Sequence, residues 1–350
     1  MSVRIHTSII EEYSMTSCSF FSRSIIGALT APLMALALCL GSSASASAAE
    51  PLTVAYSDWP GWVAFEVAIQ KGWFKDAGVD VQFKWMEYGP SMDAFQAGKV
   101  DAVAVASGDL LVMAAAGKAC KGILLTDFSN GNDMLVAKPG IKSVKDLAGK
   151  KVGVELGLVE HLLLLKALEL NGMKESDVTI VNVPTNDTPG TLASGGVDAI
   201  GAWQPISGAA LKQTPGSTAI FTSKDAPGLI YDFVAVSQES YAARKDDWAK
   251  FVSVWPKIVA YINDPATQPD ALKIMAARVN VTPEVYGALL PGTFLLDAAE
   301  QKKRYTKGDG LDSIFGSMAV ANAFNLANKV YTAKLDPATY IEPELATKLP

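Results

Sequence analysis

Acidic and aromatic side chains recur together at the ends of short apolar runs in this chain. Tyr56, Asp58, Trp59 and Trp62 follow Leu52–Ala55, Glu87 and Tyr88 follow Val79–Trp85, and Asp109 follows Ala102–Ala106. Glu155, Asp187 and Trp203 stand in the same relation to the runs at 151–154, 178–183 and 197–202. The windows 56–62, 87–92, 107–110, 155–158, 184–188 and 203–205 contain neither Lys nor Arg. Carboxylates accept paired N–H bonds and ring faces attract positive charge, so this combination suits a small planar cation. An anion has another route, the free amides of a helix N-terminus, here near Ser91.

Each residue also has a plainer role open to it. Asp58 can cap the helix that follows, Trp59 and Trp62 can cover a sheet end around the Pro60-Gly61 turn, and Asp109 and Glu155 can be N-caps or solvent-facing groups. Trp73, Trp85, Trp248 and Trp255 read as packing residues. Asp101 and Asp198 read as structural.

Other chemistries lack their residues. The chain has 2 histidines and 3 cysteines, and only His161 and Cys120 lie beyond residue 49. No intramolecular disulfide and no paired zinc spacing can be built from these, and a Ser-His-Asp or Cys-His site would have to use His161. His161 follows Glu160 and precedes a run of leucines, which reads as the polar edge of an amphipathic helix. None of the nucleophile-elbow, phosphate-loop, dinucleotide or zinc-protease motifs occurs. With 30 Lys+Arg against 36 Asp+Glu and no basic run, nucleic acid is not an expected partner. Neither a cofactor nor a metal is expected.

The elements that must position these groups alternate. Leu52–Tyr56 reads as a strand, Val63–Lys71 as a helix, Val79–Trp85 as a strand, 91–97 as a helix and Ala102–Ala106 as a buried strand. The order repeats at Lys151–Glu155, 158–170, Val178–Val183, a short helix after Pro189, and Val197–Ala202. This is α/β, with parallel sheets covered by helices. Phe95-Gln-Ala-Gly98-Lys-Val100-Asp101-Ala102-Val103 echoes Leu192-Ala-Ser-Gly195-Gly-Val197-Asp198-Ala199-Ile200, with the valines 97 residues apart. Asp133–Ala137 and Asp232–Val236 are a second echo, acid-led apolar strands 99 residues apart. They read as the two crossing segments of a hinge, with Asp133 and Asp232 as hinge residues. Lobe 1 is then 50–137 plus 229–350, including C-terminal helices, and lobe 2 is 138–228. At the N-terminus, Ile25–Leu40 carries no charge and leads into the small-residue run ending at Ala49. That reads as a secretory signal over 1–49, with Met15 as a second candidate start.

Pro60-Gly-Trp62, Lys71-Gly-Trp-Phe-Lys-Asp-Ala-Gly-Val79, the Phe95–Ala102 string and Ser143-Val-Lys-Asp-Leu-Ala-Gly-Lys-Lys-Val-Gly-Val154 resemble the substrate-binding proteins of the nitrate/sulfonate/taurine ABC-transporter family. Tyr56–Trp62, Glu87–Asp93, Asn130–Asp133, Val183–Thr188 and Gly201–Pro205 are similar to the branch associated with urea carboxylase genes. The resemblance implies a type II periplasmic binding protein, two α/β lobes joined by a two-strand hinge, acting as a monomeric receptor rather than an enzyme. Its cargo would be guanidine or a urea-like solute, delivered to an inner-membrane permease with its ATPase. Sulfonate, taurine or nitrate cargo, and a thiamine-precursor-type enzyme on the same fold, are the alternatives. In open α/β sheets ligands sit beyond the carboxyl ends of the strands, so the expected contacts are Asp58, Trp59, Trp62, Tyr88, Ser91, Asp109, Glu155, Asp187 and Trp203.

Overall fold

The computed structural model of the protein describes residues 50–350. The expected signal segment, the Met15 start and the cleavage point near Ala49 lie outside the described residues. The strands are β1 Leu52–Tyr56, β2 Val81–Trp85, β3 Ala102–Ala106, β4 Cys120–Ser129, β5 Asp133–Ala137, β6 Lys151–Val154, β7 Thr179–Asn182, β8 Ala199–Trp203, β9 Thr218–Thr222, β10 Tyr231–Ser237 and β11 Thr293–Leu295. They form two sheets, in the orders β11-β4-β10-β3-β1-β2 and β7-β6-β8-β5-β9.

Each sheet is built around the same half. β2, β1 and β3 run parallel and β10 is antiparallel beside β3. β7, β6 and β8 run parallel and β5 is antiparallel beside β8. Strands covered on both faces have no use for polar alternation, which is why β3, β5 and β8 are apolar nearly throughout and buried end to end. The repeated string has one physical meaning in both halves. Gly98 and Gly195 take positive φ, 70° and 87°, where a side chain would be strained. Asp101 then accepts the Thr53 amide at 2.8 Å, and Asp198 the Lys151 amide at 2.9 Å. Each carboxylate pins its parallel strand to the neighbouring one.

The acid-led strands differ from the expected hinge. β5 lies wholly in the second sheet and β10 wholly in the first, so the chain crosses in the links 130–132 and 223–230 rather than along either strand. The second sheet accordingly takes in residues 133–222 instead of starting after 137. Parallel neighbours explain this: only a strand returning antiparallel beside β3 or β8 completes each half.

The C-terminal helices do more than cover the first lobe. Lys245–Asn263 buries Trp248 and Trp255, with Trp255 packed 5.1 Å from Phe65. Burying a ring such as Phe65 stabilises the fold by about 1.5–3 kcal/mol. The helix Ile314–Ala327 packs on Ser107–Ala115 of the first lobe, while its Phe324 meets His161 of the second edge-on at 5.6 Å. Trp85 departs from the packing expectation: it is 37% exposed, with the Arg278 guanidinium 4.1 Å above its ring. No helix of the described residues is long and apolar enough to cross a membrane.

Candidate functional site

Beyond the carboxyl ends of β1, β3 and β8, a narrow cavity of about 10 Å³ lies between the two sheets, lined by Trp59, Trp62, Tyr88, Ala106, Asp133, Val159, Trp203, Ile230 and Asp232. The rings form its walls. Trp62 stacks on Tyr88 at 5.5 Å, Trp203 meets Tyr88 edge-on at 5.3 Å, and Trp59 stands 6.5 Å from Trp62. Trp203 comes from the second sheet and the other three from the first, so both lobes contribute a face. None of the lining residues is Lys or Arg.

Asp133 and Asp232 supply the charge. β5 places Asp133 opposite Trp203, and β10 places Asp232 opposite Ala106 on one side and Asp127 on the other. The two acids therefore occupy matching positions in the two halves, each opposite the last residue of the parallel strand beside it, at the ligand end of its sheet. Expected as hinge residues, they lie next to the crossing links and also line the cavity, buried to 3% and 2% exposure. Asp127 stands behind Asp232 and Glu160 behind Asp133, both fully buried. Asp133 Oδ2, Asp232 Oδ2 and both Glu160 carboxyl oxygens have no hydrogen-bond partner among the described residues. Burial raises all four carboxyls: Asp127 and Asp133 to about 6, and Glu160 and Asp232 well above the carboxylate range, where the neighbouring acid adds to the burial. Asp127 is otherwise well supplied, by the Trp59 indole N–H at 2.9 Å and the Thr126 hydroxyl at 2.9 Å.

Asp109 changes what the helix ends can hold. It lies in the first turn of the helix Ser107–Ala115, and its Oδ2 accepts the Tyr88 hydroxyl at 2.6 Å. The same oxygen accepts the amide of Val159, first residue of the helix Val159–Leu170 in the other lobe, at 3.3 Å. Two helix N-termini that would otherwise offer amides to an anion thus face an acid of the protein itself. Burial raises Asp109 to about 7 against the lowering effect of those two donors.

Asp58 and Glu155 lie beside the cavity. The Trp203 indole N–H donates to Asp58 Oδ1 at 3.1 Å, so Asp58 fixes a ring wall across the lobes. Glu155 borders a separate rim cavity with Glu87 and Trp203 and accepts the Thr185 hydroxyl at 3.1 Å. Ser91 and Asp187 do not reach the cavity. The Ser91 hydroxyl is fully buried and donates to the Tyr88 carbonyl at 2.7 Å, while Asp187 is exposed at the head of the helix Thr188–Ala193. A strand end points at the cleft, but the helix after it turns residues such as these away. Glu160 and His161 are not a polar edge either, because the helix Val159–Leu170 is covered by its sheet on one side and by Ile314–Ala327 on the other. The acids missed as ligand groups were visible as oddities. Asp127 interrupts Ile123–Phe128, Asp133 precedes the apolar run Met134–Ala137, and Asp232 precedes the apolar run Phe233–Val236. Among the described residues no group of three or more His, Cys, Asp or Glu is arranged to hold a metal ion.

Comparison with known proteins agrees on the fold. The structure is similar to that of the alkanesulfonate-binding protein SsuA from Xanthomonas axonopodis pv. citri bound to MOPS, with a TM-score of 0.69 at 18% identity, covering 84% of this chain and 99% of that one. It is also similar to the periplasmic nitrate-binding protein NrtA from Synechocystis PCC 6803, with a TM-score of 0.64 at 11% identity over 84% of this chain and 86% of that one. In sequence, a putative binding protein of Brucella abortus is 31% identical over 194 residues, 55% of this chain and 60% of the relative. The alignment thus spans less than two thirds of that relative's own length. The family described as NMT1/THI5 like matches residues 59–267, from Trp59 in the cavity wall through both sheets as far as β10. With more than half of its length matched, the chain belongs to the NMT1/THI5-like family.

Proposed function

We propose that the protein is the extracytoplasmic receptor of an ABC importer, working in the periplasm as a monomer that hands its solute to a permease and ATPase. Its cargo on this reading is a small planar nitrogenous cation of the guanidine type, with urea as the neutral molecule of the same shape. The names of similar proteins support the receptor class, since they are called binding proteins for an alkanesulfonate and for nitrate. One observation carries the cargo: a cavity between the sheets whose charged side chains are two buried acids, with ring walls and no Lys or Arg in the lining. Carboxylates and ring faces stabilise a guanidinium and repel a sulfonate or nitrate. Asp109, set against the two helix ends, opposes an anion there as well. Enzymatic turnover gains no support from His161, which lies outside the cavity lining against Phe324.

Guanidinium has about four non-hydrogen atoms, so a ceiling of ~1.5 kcal/mol per atom permits about 6 kcal/mol, or a Kd of some tens of micromolar. Calorimetric titration with guanidinium, methylguanidine, urea, taurine and nitrate tests the reading. Guanidinium is expected to bind in that range or tighter, and taurine and nitrate not to bind. Tight taurine binding with no guanidinium binding would reject the cation cargo.

A further inference from the structure

Two carboxyl pairs stand at the cavity, one on each sheet. Asp127 and Asp232 are opposed on neighbouring strands β4 and β10, and Asp232 Oδ2 has no hydrogen-bond partner among the described residues. Asp133, on β5, has Glu160 of the helix Val159–Leu170 packed behind it, and neither Asp133 Oδ2 nor either Glu160 carboxyl oxygen has a hydrogen-bond partner among the described residues. Two carboxyl groups buried side by side with unpartnered oxygens cannot both ionise cheaply, so one member of each pair keeps its proton. One member of each pair, Asp232 or Asp133, lines the cavity, and all four are at most 3% exposed.

Trp59 and Thr126 donate to Asp127, and the Tyr286 ring lies near it. The Ser129 hydroxyl oxygen accepts the Asp133 amide at 3.3 Å. Asp109, from the helix Ser107–Ala115, faces Glu160 and Asp232, and is itself approached by Tyr88, Glu155 and Asp133. These neighbours are acids, hydroxyls and aromatic rings, none of them a cation. Four adjacent buried carboxylates without a counter-charge would repel each other in a poorly solvated space, so an empty cavity retains protons.

Resting on the reading of the cavity as a cation site, we propose that Asp133 and Asp232 recognise the charge of the cargo, and that the cargo enters in exchange for a proton held by the Asp133–Glu160 and Asp127–Asp232 pairs. No covalent bond to the cargo forms. A cation bearing N–H donors approaches the two cavity carboxyls, an O–H proton leaves to solvent, and the carboxylate so formed accepts from the cargo instead. One positive charge enters and one proton departs. Urea, lacking the charge, gives the pairs no reason to ionise. The pairs thereby discriminate between two molecules of nearly the same shape.

The experiment is titration calorimetry of the protein with guanidinium and with urea, at about pH 5, 6, 7 and 8, in buffers of different ionisation enthalpy. Guanidinium is expected to release about one proton at about pH 6, with an association constant that falls up to about tenfold per pH unit on the acid side. Any urea binding should show neither effect. In the double variant Asp127→Asn, Glu160→Gln, each amide donates to its cavity partner, so the proton release and the pH slope for guanidinium should both diminish. Guanidinium binding that is flat across this range and independent of buffer would overturn the exchange while leaving the receptor reading intact. Absence of guanidinium binding at every pH would overturn both. The wild-type measurement decides the matter even if the double variant does not fold.

Discussion

Asp109 shows how a single side chain is governed by opposing influences. A hydroxyl, a helix amide and a helix N-terminus all favour its ionised form, yet burial outweighs them and raises its pKa to about 7. Asp127 and Asp133, raised to about 6, shift in the same direction. A carboxyl whose pKa is raised in the folded state holds its proton more tightly there than in the unfolded chain. Its contribution to stability is fully present below about pH 4, the unfolded value, and is lost as pH rises through about 6 to 7. For Asp109 alone the difference is on the order of 4 kcal/mol. The exposed acids Asp146, Asp270 and Glu344 are lowered by their partners, which acts the opposite way in strong acid but weakly, because solvent screens them. Thermal melts without cargo should therefore show a higher Tm near pH 5 than near pH 8. A Tm that is flat or rising over that interval would contradict the burial of these acids in protonated form.

At the scale of elements, two glycines separate a functional constraint from a conformational one. A Cβ on Gly61, in the short helix Pro60–Val63, would lie 1.9 Å from Asp127 Oδ2, so the absence of a side chain there lets the helix approach the acid. Gly190, inside the helix Thr188–Ala193, would place its Cβ within 4 Å of nothing. Gly61→Ala is expected to destabilise by about 1–3 kcal/mol through overpacking. Gly190→Ala should stabilise by roughly 0.5–1 kcal/mol, because alanine leaves the unfolded chain less freedom to lose. Urea or guanidinium denaturation would confound these values with cargo binding, so comparison of the two variants by thermal unfolding is the appropriate check. Equal effects of the same sign would remove the argument that Asp127 sets the path of the Trp59–Val63 segment. The echo of Asp133 and Asp232 belongs to this scale too. Their spacing was legible, but their facing was not, because apolar strand residues on either side are equally consistent with a link and with a sheet member.

At the scale of the whole molecule, two hydrogen bonds join the lobes across the cavity: Trp203 to Asp58 at 3.1 Å and the Val159 amide to Asp109 at 3.3 Å. This is a closed arrangement, and bonds of this kind to acidic groups contribute about 1.5–3 kcal/mol each when the acid is ionised. Guanidinium should shift the protein toward this form, reducing the radius of gyration and changing tryptophan emission as the ring walls come together. Asp58→Ala should weaken guanidinium about tenfold by freeing Trp203, with little change in Tm. Scattering curves that coincide with and without saturating guanidinium would count against a two-lobe clamp.

The alternating α/β order, the duplicated halves and the clustering of acids and rings near strand ends were settled by the sequence alone, because each is a property of neighbours along the chain: apolar periodicity, a glycine that must take positive φ, an aspartate that pins the next strand. Which acids meet was decided only by the tertiary structure. Asp133 and Asp232 are 99 residues apart, and Asp133 and Glu160 stand on different kinds of element. The antiparallel return of β5 and β10 beside β8 and β3 brings them to one cavity, while Ser91 and Asp187, equally near strand ends in sequence, are turned away by the helices that carry them. Burial, which raises the pKa of these acids, follows from covering by both lobes and by Ile314–Ala327, and no local stretch of residues encodes that.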